Sequence, residues 1–291
     1  MFTSASRSDA TDPALHPADL PASVRVDARL ELGVEKHGDE TRISSRIEAG
    51  AFRFRFPRAH GRPPEAVTVN IAGGLAGGDR VSTEITAGEG TSISITSAAA
   101  ERVYRSACDA TRLSARLVVR DDATALWLPQ ETILHNGSNV QRRFEIDLAR
   151  RARLIFAEML YFGRRAAGEI FDRGSLRESW RLRVGGQLVL ADETRMEADA
   201  GSPYTHPAAL GLHVAMASVI FACEDAGEVL EPVRALLDDE PLVESGATYL
   251  GRLVLIRLLA PDAARLRALA MRLVNFLAAR LGQPLPRALL A

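Results

Sequence analysis

Short segments in which apolar and polar residues alternate recur over most of this chain, and each is closed by a turn signal. Residues 24–32, 52–56, 66–69, 81–85 and 92–96 follow the pattern, as do 113–119, 125–128, 141–148 and 179–184. Alternation with a period of two places one set of side chains against a core and the other in water, the mark of a half-buried strand. Between the segments stand Gly88-Glu89-Gly90, Arg120-Asp121-Asp122, Asn136-Gly137 and Gly185-Gly186, all residue types that favour turns. Evenly spaced short strands argue for a sandwich, a barrel or stacked sheets rather than βαβ units.

The C-terminal third changes character. Residues 212–223 form a longer apolar run, expected as a buried strand, and residues 249–257 return to strand. Residues 227–237 have helical spacing. Pro261-Asp262 opens the clearest helix, in which Leu266, Leu269, Leu273, Phe276 and Leu277 recur at three and four residues before Gly282. Helices placed this late are expected to pack on the sheets of one domain spanning residues 23–291. Residues 1–22, rich in Ser, Ala, Asp and Pro and without an apolar h-region, read as a disordered leader.

Charge narrows the function classes. The chain has 36 Lys and Arg against 37 Asp and Glu, a formal net charge of −1. So even a balance gives no electrostatic case for nucleic acid as a partner. No stretch is apolar and long enough to span a bilayer, so no membrane partner is expected. Cys108 and Cys223 lack metal-ligand spacing, which suits a reducing compartment, and a cytoplasmic location is expected.

Common catalytic signatures are missing. There is no P-loop, HExxH, paired CxxC or Gly-x-Ser-x-Gly elbow. Three clusters stand out instead. The first is residues 73–79, two glycine pairs closed by Asp79, where close backbone approach precedes a strand. The second is residues 158–169, where Glu158 follows an apolar strand. A lone carboxylate there is costly unless it pairs with Arg164 or Arg165 or acts as a stop for a cation. The third is residues 127–133, a core Trp127 followed by a strand broken at Pro129.

Taken in order, these clusters resemble the UreD (UreH) family of urease accessory proteins. The matching stretches are residues 73–80, then 96–97 through 102–106, then 127–133, then Phe162-Gly163-Arg164 with Gly168-Glu169. One departure is Arg102, where the family commonly has a lysine; charge is kept but its geometry differs. The resemblance implies a non-catalytic scaffold, all-β dominated, of stacked antiparallel and mixed sheets in a β-helix-like arrangement with two helices in the C-terminal third. It implies urease apoprotein, UreF and the GTPase UreG as partners. No tightly bound cofactor is implied, only transient Ni²⁺ moving along a water-filled passage.

By motif position, the resemblance makes Asp79, Glu158 and Glu193 the acids of that passage. Spaced single carboxylates suit transfer, because a multi-ligand cage would retain the ion. Arg102, Tyr104 and Arg105 are the candidate partner-facing residues. An alternative from another class is a β-rich hydrolase using Glu158 and Glu169 as an acid/base pair.

Overall fold

The computed structural model describes residues 25–58, 62–107, 109–198 and 210–290. In chain order the strands are β1 (Asp27–His37), β2 (Glu40–Ala49), β3 (Phe52–Arg55), β4 (Glu65–Asn70), β5 (Arg80–Ala87) and β6 (Ser92–Ser97). Next come β7 (Glu101–Val103), β8 (Thr111–Val119), β9 (Thr124–Trp127), β10 (Thr132–Leu134), β11 (Asn139–Leu148) and β12 (Arg153–Phe162). The last are β13 (Gly174–Val184), β14 (Gln187–Ala198), β15 (Ala215–Ala222), β16 (Glu244–Tyr249) and β17 (Leu253–Ala260). Among the described residues three α-helices lie in the C-terminal third: α1 (Leu230–Asp238) between β15 and β16, then α2 (Ala263–Arg280) and the short α3 (Arg287–Leu290) after β17.

Two sheets share these strands. The first runs β14-β13-β11-β8-β5-β1-β2, and the second runs β16-β17-β15-β12-β9-β6-β4-β3 with β10 and β7 branching from β12. At the centre of each sheet the neighbours are parallel: β1, β5, β8, β11 and β13 in one, β4, β6, β9 and β12 in the other. The chain alternates between sheets as it climbs, so parallel neighbours in one sheet are separated in sequence by strands of the other. That is a β-solenoid-like stack, as the fold class anticipated.

Three apolar clusters hold it. The largest lies between the sheets and includes Leu30, Ile85, Leu117, Phe144, Phe156 and Trp180. A smaller one lies between the sheets at one end, around Val103, Leu134, Val140, Phe162 and Leu176. The third fills the outer face of the second sheet, where β15 is buried on both faces beneath α2. A strand covered twice reads as a continuous apolar run, which is why residues 212–223 carry no alternation.

The helix at Pro261-Asp262 forms as the spacing requires. Asp262 caps α2 by accepting from the Arg265 N–H at 2.8 Å, and Gly282, with φ +64°, follows its end. Among the described residues no helix is long and apolar enough to cross a membrane. The leader expected over residues 1–22 lies outside the described residues, as does Cys108.

Candidate functional site

The sequence clusters gather at one end of the solenoid. Leu75 bridges to Val103, Val103 pairs with Leu134, and Leu134 pairs with Phe162, all in parallel register. Each motif is therefore one coil's contribution to a single short row. The turns between are knitted by backbone bonds: Leu75 N–H to Arg102 O at 2.8 Å, Tyr104 N–H to Leu75 O at 2.7 Å, His135 N–H to Val103 O at 2.9 Å, Gly163 N–H to Leu134 O at 2.8 Å.

Glycine is required here by proximity. A Cβ on Gly74 would stand 2.4 Å from the Tyr104 ring, and one on Gly77 would stand 2.1 Å from Ser106 Oγ and 2.7 Å from Asp109 O. Asp79 closes the turn from inside. Its Oδ1 accepts from Val26 N–H at 2.8 Å and its Oδ2 from Ala76 N–H at 2.7 Å, and the residue is buried. Beside it, burial raises Glu101 from 4.5 to about 7, with Asn70 Nδ2 donating to it at 2.9 Å and opposing the rise.

A cleft on this end is lined by Arg102, Tyr104, His135, Arg164 and Arg165. The Tyr104 hydroxyl donates to Gly73 O at 2.8 Å, and its ring meets His135 edge-on with centroids 4.8 Å apart. Burial, then the Arg164 charge, lowers His135, so its imidazole is neutral near pH 7. Arg105 lies over Gly137 and is exposed.

One layer below, between the sheets, charge replaces apolar packing. The two inner faces meet in register rows. Val140, Leu176 and Leu160 belong to the row above, and Phe144, Trp180 and Phe156 to the row below. In the row between stand Arg142 on β11, Glu178 on β13 and Glu158 on β12, all at most 5% exposed. Arg142 Nη2 donates to Glu158 Oε2, and Trp127 Nε1 donates to Glu158 Oε1 at 2.8 Å.

Arg142 Nη1 faces Glu178 Oε2 at 3.2 Å, an ion pair that is not aligned as a hydrogen bond. Arg142 Nε is likewise buried without a hydrogen bond among the described residues. Burial raises the Glu178 carboxyl, and Arg142 opposes it. Burial alone would lower the Arg142 guanidinium, but Glu158 and Glu178 together raise it.

The layer continues outward through the second sheet. Glu158 is paired in register with the buried Ser218, and Ser218 with Arg257. Arg257 donates to Asp192 at 2.6 Å, in a pair whose side chains are 33% and 29% exposed. A polar seam thus runs from Trp127 in the core to a half-exposed ion pair at the edge. Buried charges persist only when paired, and all of these are.

Comparison with known proteins agrees with the order of the motifs. The family model described as UreD urease accessory protein matches residues 26–289. The chain belongs to the UreD family of urease accessory proteins. Among its relatives, the "Urease accessory protein UreD" of Xanthobacter autotrophicus is 40% identical over 290 residues, 99% of each chain. That of Methylobacterium sp. is 39% identical over 278 residues, 94% of this chain and 98% of the relative. "Urease accessory protein UreD 1" of Brucella abortus is 37% identical over 260 residues, 89% and 93%.

For this UreD chain, several sequence expectations need correcting. Glu158 pairs with neither Arg164 nor Arg165: its partner is Arg142, which comes from the other sheet. Glu193 does not face the interior. It is exposed on the outer face and paired with Arg177 at 3.0 Å, while Asp192 turns toward Arg257. The cause is parity, since Leu190 points inward and places 192 and 194, not 193, on the same side.

Glu158 and Glu169 do not form one pair either. Glu169 binds Arg164 at 2.8 Å on the motif loop, which lowers its carboxyl, so the hydrolase alternative is not favoured. Sequence reading also missed Arg142 and Glu178. Arg142 stands among Val140, Phe144, Ile146 and Leu148, and Glu178 between Leu176 and Trp180. A charge at the apolar parity was the available signal.

Proposed function

We propose that this chain is a non-catalytic scaffold of urease maturation, working in the cytoplasm, that holds urease apoprotein together with UreF and UreG. In this reading it assists nickel delivery to the urease active site, and the polar seam is the route. The observation that carries the proposal is the continuity of that seam, from the Arg257–Asp192 pair through Ser218, Glu178 and Arg142 to Glu158. Three carboxylates along one layer supply oxygen donors for Ni²⁺ as cargo. Among the described residues no three His, Cys, Asp or Glu are gathered as a metal cage. A route needs such dispersion, since each stop must release what it binds.

The arginines give the route a resting state. Arg142 and Arg257 occupy the carboxylates a cation would use, so passage requires these pairs to separate. We infer that partner binding supplies that opening. In this scheme Asp192 takes the place expected of Glu193, and Asp79, tied to two backbone N–H groups, braces the turn above the seam. Arg102, Tyr104 and Arg105 remain the proposed partner-facing residues, exposed together at the motif end.

The experiment is the nickel content and activity of urease matured with and without this chain, the other accessory proteins being present. The proposal expects both to be lost without the chain and restored when it is returned. Full nickel loading in its absence would contradict the proposal.

A further inference from the structure

The outer face of the first sheet carries a charge pattern that the seam does not use. Register places Arg80 between Asp27 and Arg112, Arg112 beside Gln141, Gln141 beside Arg177, and Arg177 beside Arg195, so that the basic row runs from Arg80 to Arg195. All five residues of that row are exposed. Strands lie about 4.8 Å apart, so the row is about 19 Å long and holds four guanidinium groups. The adjacent row adds the hydroxyls of Ser82, Ser114 and Ser179, with Arg143, paired to Glu145, between the last two.

Like charges directly opposite one another destabilise a sheet. At one end of the row the molecule relieves this itself, with Arg177 on Glu193 at 3.0 Å and Arg195 on Glu197 at 2.5 Å. At the other end Asp27 is the register neighbour of Arg80 but closes no ion pair with it, and Arg112 has no acid directly beside it in the row. A groove of about 760 Å³ opens over them. With a formal net charge of −1 for the whole chain, this band is a local concentration of cations that acids elsewhere balance.

The third row decides between classes of anion. There Glu31 pairs with Glu84, and Arg116 stands between Glu84 and Glu145. These acids confine the cations to a narrow strip, which suits one extended acidic segment better than the broad basic face that a nucleic-acid backbone requires. Arg forks also match carboxylates in a bidentate way. We propose that this face docks an acidic segment of a protein partner, one presenting three or more carboxylates along about 19 Å, with Arg80 and Arg112 as its principal contacts.

The test uses the full chain and a fluorescein-labelled oligoglutamate peptide of about ten residues, long enough to span the row when extended, followed by anisotropy at low and at physiological salt. The expected result is measurable binding that weakens with salt and falls at least about tenfold in the Arg80→Glu/Arg112→Glu variant. A control pair on helix α2, Arg265→Glu/Arg272→Glu, should leave binding unchanged. A second readout needs no ligand: Arg112→Gln should raise the thermal unfolding midpoint by relieving the row's repulsion. Equal binding by the Arg80/Arg112 and α2 variants would overturn the proposal. So would tighter binding of a single-stranded oligonucleotide or of phosphatidylserine vesicles than of the peptide.

Discussion

Arg142 and Glu158 reach toward each other from opposite sheets and pair in the middle of the sandwich, with Glu178 on the far side of the guanidinium. Replacing Arg142 by Met would leave two carboxylates buried without their counter-charge. The expected loss is about 3–5 kcal/mol of unfolding free energy, read by urea titration. Converting all three at once, as Arg142→Met/Glu158→Leu/Glu178→Leu, should recover most of it, because the desolvation cost goes with the charges. An Arg142→Met variant as stable as the parent would show that the layer is not a coupled charge cluster.

Glu101 makes stability depend on pH near neutrality. Its carboxyl is raised from 4.5 to about 7, so folding favours the protonated form. The stabilisation is complete below about pH 4.5, fades between 4.5 and 7, and is gone above. Glu101→Gln keeps an acceptor for Asn70 and removes the charge. It should be close to neutral at pH 4.5 and stabilising by up to about 3 kcal/mol at pH 8. Thermal melts at the two values check this, and a Glu101→Gln effect independent of pH would contradict it.

Gly77 is held by close approach rather than by φ. Gly77→Ala would drive a methyl group into Ser106 and Asp109, so the loop around Ser106 must move. A loss of about 1–3 kcal/mol is expected, together with faster proteolysis in that loop. Adding Ser106→Gly should recover part of the loss, since Ser106 Oγ is the nearest obstacle.

The sequence was most legible where one periodicity had one cause. Helix α2 showed its spacing, its Asp262 cap and its Gly282 stop, and the alternating strands declared themselves before any pairing was known. Strand β2 went unread because almost all of Glu40–Ala49 is exposed and carries no alternation. Pairing was also illegible: a period of two tells which side chains share a face but not which distant strand lies alongside. The candidate site suffered from the same limit. Glu158 was visible as an acid after an apolar run, yet its partner Arg142 belongs to the other sheet, and only the stacking brings them together. Glu193 was misplaced by a single residue of parity, enough to exchange the interior for the surface.

The route through the seam is tested most directly by the nickel content of urease matured with Glu158→Gln in place of the parent chain. Circular dichroism and co-purification with urease would establish that the variant folds and still binds. The account predicts that nickel per urease active site falls severalfold while fold and binding are kept. Nickel loading equal to that given by the parent chain would contradict it.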